Sequence, residues 1–398
     1  MNSYQLITSL AFALYLGLML SIGFVTYKKT HNTSDFFLGG RSVGPWFTAL
    51  SAEASDMSGW LLMGLPGVAY FTGLQEAFWT ATGLLVGTYL NWFFVAKRMR
   101  KYTIHAKNSI TIPEFFTNRF HDKTKVLQTI SSVLILIFFV VYTASGFLAS
   151  AKLFTAVFGM NYYVALFLGV AVILGYTLLG GYLAVVATDF FQGSLMFIAL
   201  VATAILAVIA LGGPVVTIDK LSAFGMQFVN PFVAEPGSEY GLIDIISALS
   251  WGLGYFGMPH ILVRFMSIRS NKEVKTSRRI AMVWVTVAMG AALAVGVIGK
   301  SFLLPLVYES QGAAEAVFIA SMQKIFPTFI AGIFLCAILA ASMSTSDSQL
   351  LVASSAFSKD VYKAFIRKEA SEKETLLVSR ITVLVVSLIA VFLAMDPT

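Results

Sequence analysis

Apolar runs long enough to cross a bilayer recur almost from end to end of this 398-residue chain. A membrane-spanning helix needs about 20 predominantly apolar residues. Segments 4–27, 44–70, 73–96, 126–155, 161–182, 189–212, 241–263, 280–306, 325–357 and 375–395 meet that length. Hydrophobic residues make up 58% of the chain and charged residues 12%, against about 25% charged in an ordinary soluble domain. So much apolar surface cannot be kept from water in a soluble protein. A soluble enzyme, a disordered chain and a collagen-like fibre are excluded, and the single cysteine, Cys336, excludes a disulfide scaffold. A barrel porin would show short alternating segments instead. The expectation is an all-α polytopic membrane protein, one transmembrane domain over 1–398 with about ten spans. The first segment reads as a span and not a leader, because it lacks a basic start and a small-residue cleavage site.

The net charge of +7 reads as the positive-inside bias, not as affinity for nucleic acid. With the N-terminus outside, the inner loops are those after spans one, three, five, seven and nine. All 27 Lys and Arg fall on them except Lys152, Lys220, Lys300 and Lys324, with Arg380, near the start of span ten, counted with the last inner loop. Arg264 is counted there, in the loop after span seven. The outer loop 213–240 reads as a lid or connector.

Ionisable side chains at membrane depth are expensive and point to function. Glu53, Asp56, Asp189 and Asp347 stand out. Glu53 and Asp56 lie in Ser51-Ala52-Glu53-Ala54-Ser55-Asp56-Met57-Ser58-Gly59-Trp60, which runs on to Gly64-Leu65-Pro66-Gly67. A lipid-facing helix avoids such a mixture, whereas a helix broken near its middle uses it, because unwound backbone is tolerated where it lines a cavity. Freed carbonyls suit a hard cation such as Na⁺. The helix half that starts after the break offers N–H groups and a positive dipole end to an anion. The alternative is a small-residue packing face with Asp56 bonded to a neighbouring helix.

A second polar island is Ala340-Ala341-Ser342-Met343-Ser344-Thr345-Ser346-Asp347-Ser348-Gln349. Ala341, Ser344 and Ser348 follow one another at helical spacing on one face, where they could complete a cation site opposite the broken helix. Back-bonding to carbonyls one turn earlier would account for one or two of the hydroxyls. A third island, Trp251-Gly252-Leu253-Gly254-Tyr255-Phe256-Gly257-Met258-Pro259-His260, predicts a second broken helix. Trp251 and Tyr255 share a face against which a small apolar substrate or another helix would rest. His260 reads as a satisfied polar contact. Tyr142 and Ser145 interrupt an apolar span. Asp189 opens span six, as a helix cap or an ion ligand. No Walker loop, HExxH motif or G-x-S-x-G elbow is present. The chain therefore reads as no enzyme, without a cofactor, and any coupling should come from an ion gradient.

Taken together, these residues resemble the sodium/solute symporter family, and within it the proline-carrying branch. The likeness rests on Leu38-Gly39-Gly40-Arg41-Ser42-Val43-Gly44-Pro45, Ser55-Asp56-Met57-Ser58-Gly59-Trp60, Trp251-Gly252-Leu253-Gly254-Tyr255 and Ser348-Gln349-Leu350-Leu351. The resemblance implies a leucine-transporter-like inverted-repeat fold with discontinuous helices at spans two and seven. Span one would be peripheral, 44–212 the first repeat and 241–398 the second, incomplete, since ten of the family's thirteen spans are read here. It implies a sodium site of carbonyls from Ala54, Met57 and Ala341 with the hydroxyls of Ser344 and Thr345, and Asp56 as the coupling aspartate. The substrate pocket would fall on Trp60, Tyr142, Trp251, Tyr255 and Pro259. A second ion site, as in some relatives, would map to Asp189, Ser344, Asp347 and Ser348. The implied activity is sodium-coupled import of L-proline by alternating access across a bacterial plasma membrane, with sodium, proline and membrane lipids as partners and no nucleic acid. A symporter of another small amino acid or carboxylate, or a transporter-like proline sensor, are the alternative readings. Glu53 departs from the small residue usual beside the ion site, and Met258 from an expected glutamine.

Overall fold

The computed structural model describes residues 3–28, 30–234 and 238–396. Its elements are helices throughout, with isolated bridges in place of strands among these residues. In chain order they are α1 (Ser3–Tyr27), α2 (Thr33–Leu38), α3 (Pro45–Met57), α4 (Gly64–Thr72), α5 (Leu74–Leu90), α6 (Lys97–His105), α7 (Ile112–Phe120), α8 (Val126–Phe158), α9 (Tyr162–Leu211), α10 (Pro214–Ser222), α11 (Leu242–Leu249), α12 (Pro259–Ser267), α13 (Val274–Phe302), α14 (Gln311–Ala314), α15 (Val317–Ile325), α16 (Thr328–Phe357) and α17 (Glu372–Leu393). Lys29 lies outside the described residues, as do Pro236 and Gly237 of the 213–240 loop; the described part of that loop carries α10.

The helix boundaries follow local chemistry. The Asp122 carboxylate accepts the amides of Thr124, Lys125 and Leu127 and so caps the start of α8. Ser371 accepts the amide of Glu374 at the start of α17, and Gly159 and Gly212 close α8 and α9 in the left-handed conformation.

Among the described residues, α1, α8, Gly180–Leu211, α13, Thr328–Ile366 and α17 are each long and apolar enough to cross a membrane, and the bent pair Leu242–Gly257 and Pro259–Ser267 makes a seventh when counted as one span. The other expected spans are interrupted or shorter: α3 with α4, α5 running through a π-type turn at Asn91–Ala96 into α6, and Tyr162–Leu178. The division expected at 182–189 takes a different form. One residue, Gly181 at φ 56°, kinks a continuous α9, and no loop intervenes. Asp189 therefore lies inside a helix and caps none.

At the centre stands α16. Every residue from Leu335 to Ala356 is buried, enclosed by α1, α3, α8, α9 and α17. Its polar island faces protein, so the many hydroxyls at membrane depth never meet lipid.

Candidate functional site: two broken helices against α16

The first break begins where α3 ends at Met57. Ser58 turns into the left-handed region at φ 50°, a short 3₁₀ turn follows over Gly59–Leu61, and α4 resumes at Gly64. The second runs from α11 through a 3₁₀ stretch, Ser250–Gly257, to α12 starting at Pro259, with a 50° bend. Both interruptions fall where the glycine-rich islands predict them. Each leaves backbone groups free of helical bonding, and the starts of α4 and α12 present N–H groups.

Two adjoining cavities open between the breaks and α8. One, about 340 Å³, is lined by Asp56, Trp60, Tyr142, Trp251, Tyr255 and Met258, with Ser145 at its edge. The other, about 250 Å³, shares Trp60, Tyr142 and Ser145 and adds Met63, Gly64 and Thr345, with Lys152 and Glu315 also in its wall. The Trp60 and Trp251 rings stack at 5.7 Å between centroids. Four of the expected pocket residues thus converge; Pro259 lies just beyond, at the first position of α12.

On the far side of α3, the Ser344 hydroxyl lies 2.8 Å from the Ala54 carbonyl and 3.2 Å from that of Ala341. Ala54, Ala341 and Ser344 therefore meet. Met57 closes α3 one turn on, buried, and the Thr345 hydroxyl is buried without a partner. Carbonyl and hydroxyl oxygens from two helices, with one hydroxyl unengaged, suit a hard monovalent cation. The neighbouring hydroxyls of Ser342 and Ser348 bond back to carbonyls four residues earlier. Back-bonding accounts for these two, whereas the shorter contact of Ser344 reaches across to α3.

Asp189, Asp347 and Ser348 also converge, but around a guanidinium. Arg264, counted with the loops, is buried at 1% exposure within α12. Its Nη2 lies 3.1 Å from Asp189 Oδ2 and also bonds Ser348. Its Nε donates to Ser51 Oγ at 3.0 Å, and Ser51 donates to Asp189 Oδ2 at 2.5 Å. Tyr176 donates to Asp347 Oδ2 at 2.7 Å. The sequence carries a signal for Arg264: it follows Ile261-Leu262-Val263 with no flanking polar residue.

His260 departs from its expected role. It is fully buried, its ring edge-on to Phe139 at 5.4 Å, with the Ser55 backbone as its one polar neighbour. Aromatic packing does most of what the expected polar contact would do.

The basic-loop end of this assembly is tied shut. Val43 pairs with Ile268 in a parallel bridge, with the Val43 amide donating to Ser267 O at 3.2 Å and the Arg269 amide to Val43 O at 2.8 Å. Arg41 donates to the carbonyls of Met266 and Ser109 at 2.8 Å each, and Arg100 to that of Ile268. Half-burial and the neighbouring Arg100 bring the Arg41 guanidinium down to about 10, so it stays charged at neutral pH. None of these pairings is legible in the sequence, because the partners lie far apart along it.

Residues 36–398 match the sodium:solute symporter family. The chain is 46% identical to the sodium/proline symporter of Escherichia coli K12 over 389 residues, covering 97% of this chain and 76% of that one. It is 44% identical to the osmoregulated proline transporter OpuE of Bacillus subtilis over 399 residues, covering 99% and 78%. In structure it is similar to a Na⁺-coupled sialic acid symporter in a substrate-bound outward-open state, with a TM-score of 0.83 at 22% identity over 98% of this chain and 82% of that one. It is also similar to MhsT in complex with L-phenylalanine, with a TM-score of 0.58 at 13% identity over 88% and 79%. The fold is leucine-transporter-like.

Proposed function

The chain belongs to the sodium:solute symporter family, and from that premise we propose that it imports L-proline with sodium by alternating access. It is a membrane transporter and not an enzyme. The observation that carries the substrate reading is the aromatic cavity between two broken helices, together with relatives of about this similarity that are proline carriers.

Proline suits the cavity chemically. Its ring is a small apolar body that packs on Trp60, Tyr142, Trp251 and Tyr255, next to Pro259. Its carboxylate is compensated by the amides and dipole at the start of α4, at Gly64. Sodium binds between α3 and α16, held by Ala54, Met57, Ala341, Ser344 and Thr345, and Asp56 couples that site to the cavity it also lines. Because α3 supplies ligands to the ion and walls to the substrate, ordering it for one favours the other, and this is the coupling that symport requires. The two repeats, 44–212 and 241–398, each contribute one broken helix, and span one packs outside them. The membrane is a bacterial plasma membrane with the N-terminus outside and the latched, basic end inside. Around Asp189, Asp347 and Ser348 the Arg264 charge compensates Asp189 and works against a second cation while that pair is intact, so the cluster serves first to hold the helices together.

The test is uptake of radiolabelled L-proline into proteoliposomes with and without an inward sodium gradient. Sodium-dependent accumulation is expected. Accumulation independent of the gradient overturns the coupling, and accumulation of another amino acid alone overturns the substrate.

A further inference from the structure

On its other face, α3 directs its other acid, Glu53, away from the sodium ligands. The Glu53 side chain is 2% exposed and lines a small cavity with Asp56, Thr88, Asn91, Trp92 and Tyr255. Its Oε1 accepts the Trp92 indole N–H at 3.2 Å, and its Oε2 has no partner. Asn91 donates its side-chain nitrogen to the Tyr255 carbonyl at 2.9 Å, which fixes its orientation, and its Oδ1 is left without a partner. The Thr88 hydroxyl lines the same cavity, within reach of the Tyr255 phenol. These groups are all more than nine-tenths buried. Asn91 begins the π-type turn that joins α5 to α6, and such turns recur at functional sites.

A buried carboxylate without a countercharge is strongly unfavourable. Neither Glu53 nor Asp56 is ion-paired with a Lys, Arg or His among the described residues. A trapped water would satisfy the orphan oxygens but would leave the charge uncompensated. The cavity is about 10 Å³, room for one particle the size of a water molecule. The orphans are oxygens, the ligand type of hard cations. No three His, Cys, Asp or Glu side chains come together among the described residues, so a transition metal has no ligand set here.

We propose that Glu53, Asn91 and Thr88 form a second sodium site between α3 and α5, separate from the one between α3 and α16 and reached from the substrate cavity past Asp56. It rests on the sodium-coupled reading and extends it. A cation here would neutralise Glu53 and draw α5 onto α3, next to the second broken helix that Asn91 holds at Tyr255. Occupancy would thus be felt in the wall of the substrate cavity.

The experiment is binding of radioactive sodium to the purified chain, with Glu53→Gln, Ser344→Ala and the double variant alongside. Two sodium ions per chain are expected for the unaltered protein, one for each single variant and none for the double variant. Equal number and affinity in Glu53→Gln and the unaltered chain overturn the site. So does a single sodium accompanied by Glu53-dependent proton uptake, which would make the cation a proton. No sodium binding by the unaltered chain overturns the sodium-coupled reading itself. If Glu53→Gln aggregates on gel filtration, Asn91→Ala carries the test, with the second sodium expected to weaken by about tenfold, or ~1.4 kcal/mol; an unchanged second affinity overturns the proposal.

Discussion

Nη2 of Arg264 lies 3.1 Å from Oδ2 of Asp189, with both side chains 1% exposed or less. The pair joins α12 to α9, and through Ser51 and Ser348 it also joins α3 and α16. The helices around the proposed ion site are thus fastened to one another by a single buried charge cluster. Removing one partner leaves the other uncompensated, which costs about 3–5 kcal/mol, whereas replacing both with apolar residues of similar volume is often neutral. Arg264→Met alone should therefore lower the thermal unfolding temperature in detergent sharply. Arg264→Met with Asp189→Leu should recover most of the loss. A double variant as unstable as the single one would show that the hydrogen bonds to Ser51 and Ser348, and not the charge pair, hold the cluster.

Ser344 and Asp56 separate ion binding from substrate binding. Ser344→Ala removes one oxygen near the Ala54 and Ala341 carbonyls without opening the cavity. At about 1–3 kcal/mol for a lost buried partner, the sodium needed for half-maximal uptake should rise roughly 5- to 150-fold, with the saturated rate less affected. Asp56→Asn should raise it too, and should also weaken proline binding, because Asp56 lines the cavity. Sodium titration of proline uptake checks both. Unaltered sodium dependence in Ser344→Ala would remove that residue from the site.

The Trp60–Trp251 stack should set proline affinity. Such aromatic pairs contribute about 0.5–1.5 kcal/mol beyond their area. Trp251 is 56% exposed, so its truncation perturbs packing little. Trp251→Ala should raise KM for proline about two- to tenfold with stability nearly unaltered. A fall in kcat with KM constant would place the ring in the conformational step instead.

Both breaks are legible from local composition, because an unbroken lipid-facing helix does not mix glycine, serine and acid into an apolar run. That the face carrying Ser344 lies against the broken helix is legible from helical spacing, whereas Ala54 as its partner comes from the family resemblance and not from spacing. Tertiary pairing is what escapes. Arg264 is hidden by proximity to a basic loop, where charge counting absorbs it. Asp189 reads as a helix start because two apolar runs suggest an intervening loop, whereas Gly181 bends the chain with a single positive φ. Asn91 and Trp92 carry no sequence signal for a partner on α3, and only the structure brings them to Glu53.

Gly87 should be indispensable for a packing reason. A Cβ there would fall against the Gly252 carbonyl oxygen, far inside contact distance, and one on Gly83 would meet Leu249 in the same way. The backbone of α5 thus lies directly on the second break, in the manner of small-residue contacts between membrane helices. Neither obstacle is a flexible side chain. Gly87→Ala should displace the break, abolish proline binding and lower the unfolding temperature. Gly257→Ala, in the same break and with a Cβ that would meet nothing within 4 Å, should be tolerated. Binding by both variants would show that the break moves freely against α5.

Alternating access requires the latched end to open. Val43 and Ile268, paired in the parallel bridge at that end, connect the start of α3 with the end of α12. Residues paired across such a bridge lie about 5 Å apart at Cα, within disulfide reach. The chain's own cysteine, Cys336, is buried in α16 and offers little competition for an oxidant. Val43→Cys with Ile268→Cys, oxidised with copper phenanthroline, should therefore hold the basic end shut. Proline and sodium should still bind, because the cavity and the sodium ligands lie beyond the latch, while uptake into proteoliposomes should stop and return on reduction. Each single cysteine variant, treated with the oxidant, should transport like the unaltered chain. Undiminished uptake by the cross-linked protein, with the disulfide verified by mass spectrometry, would mean that the two helices travel together and that the substrate leaves by another route.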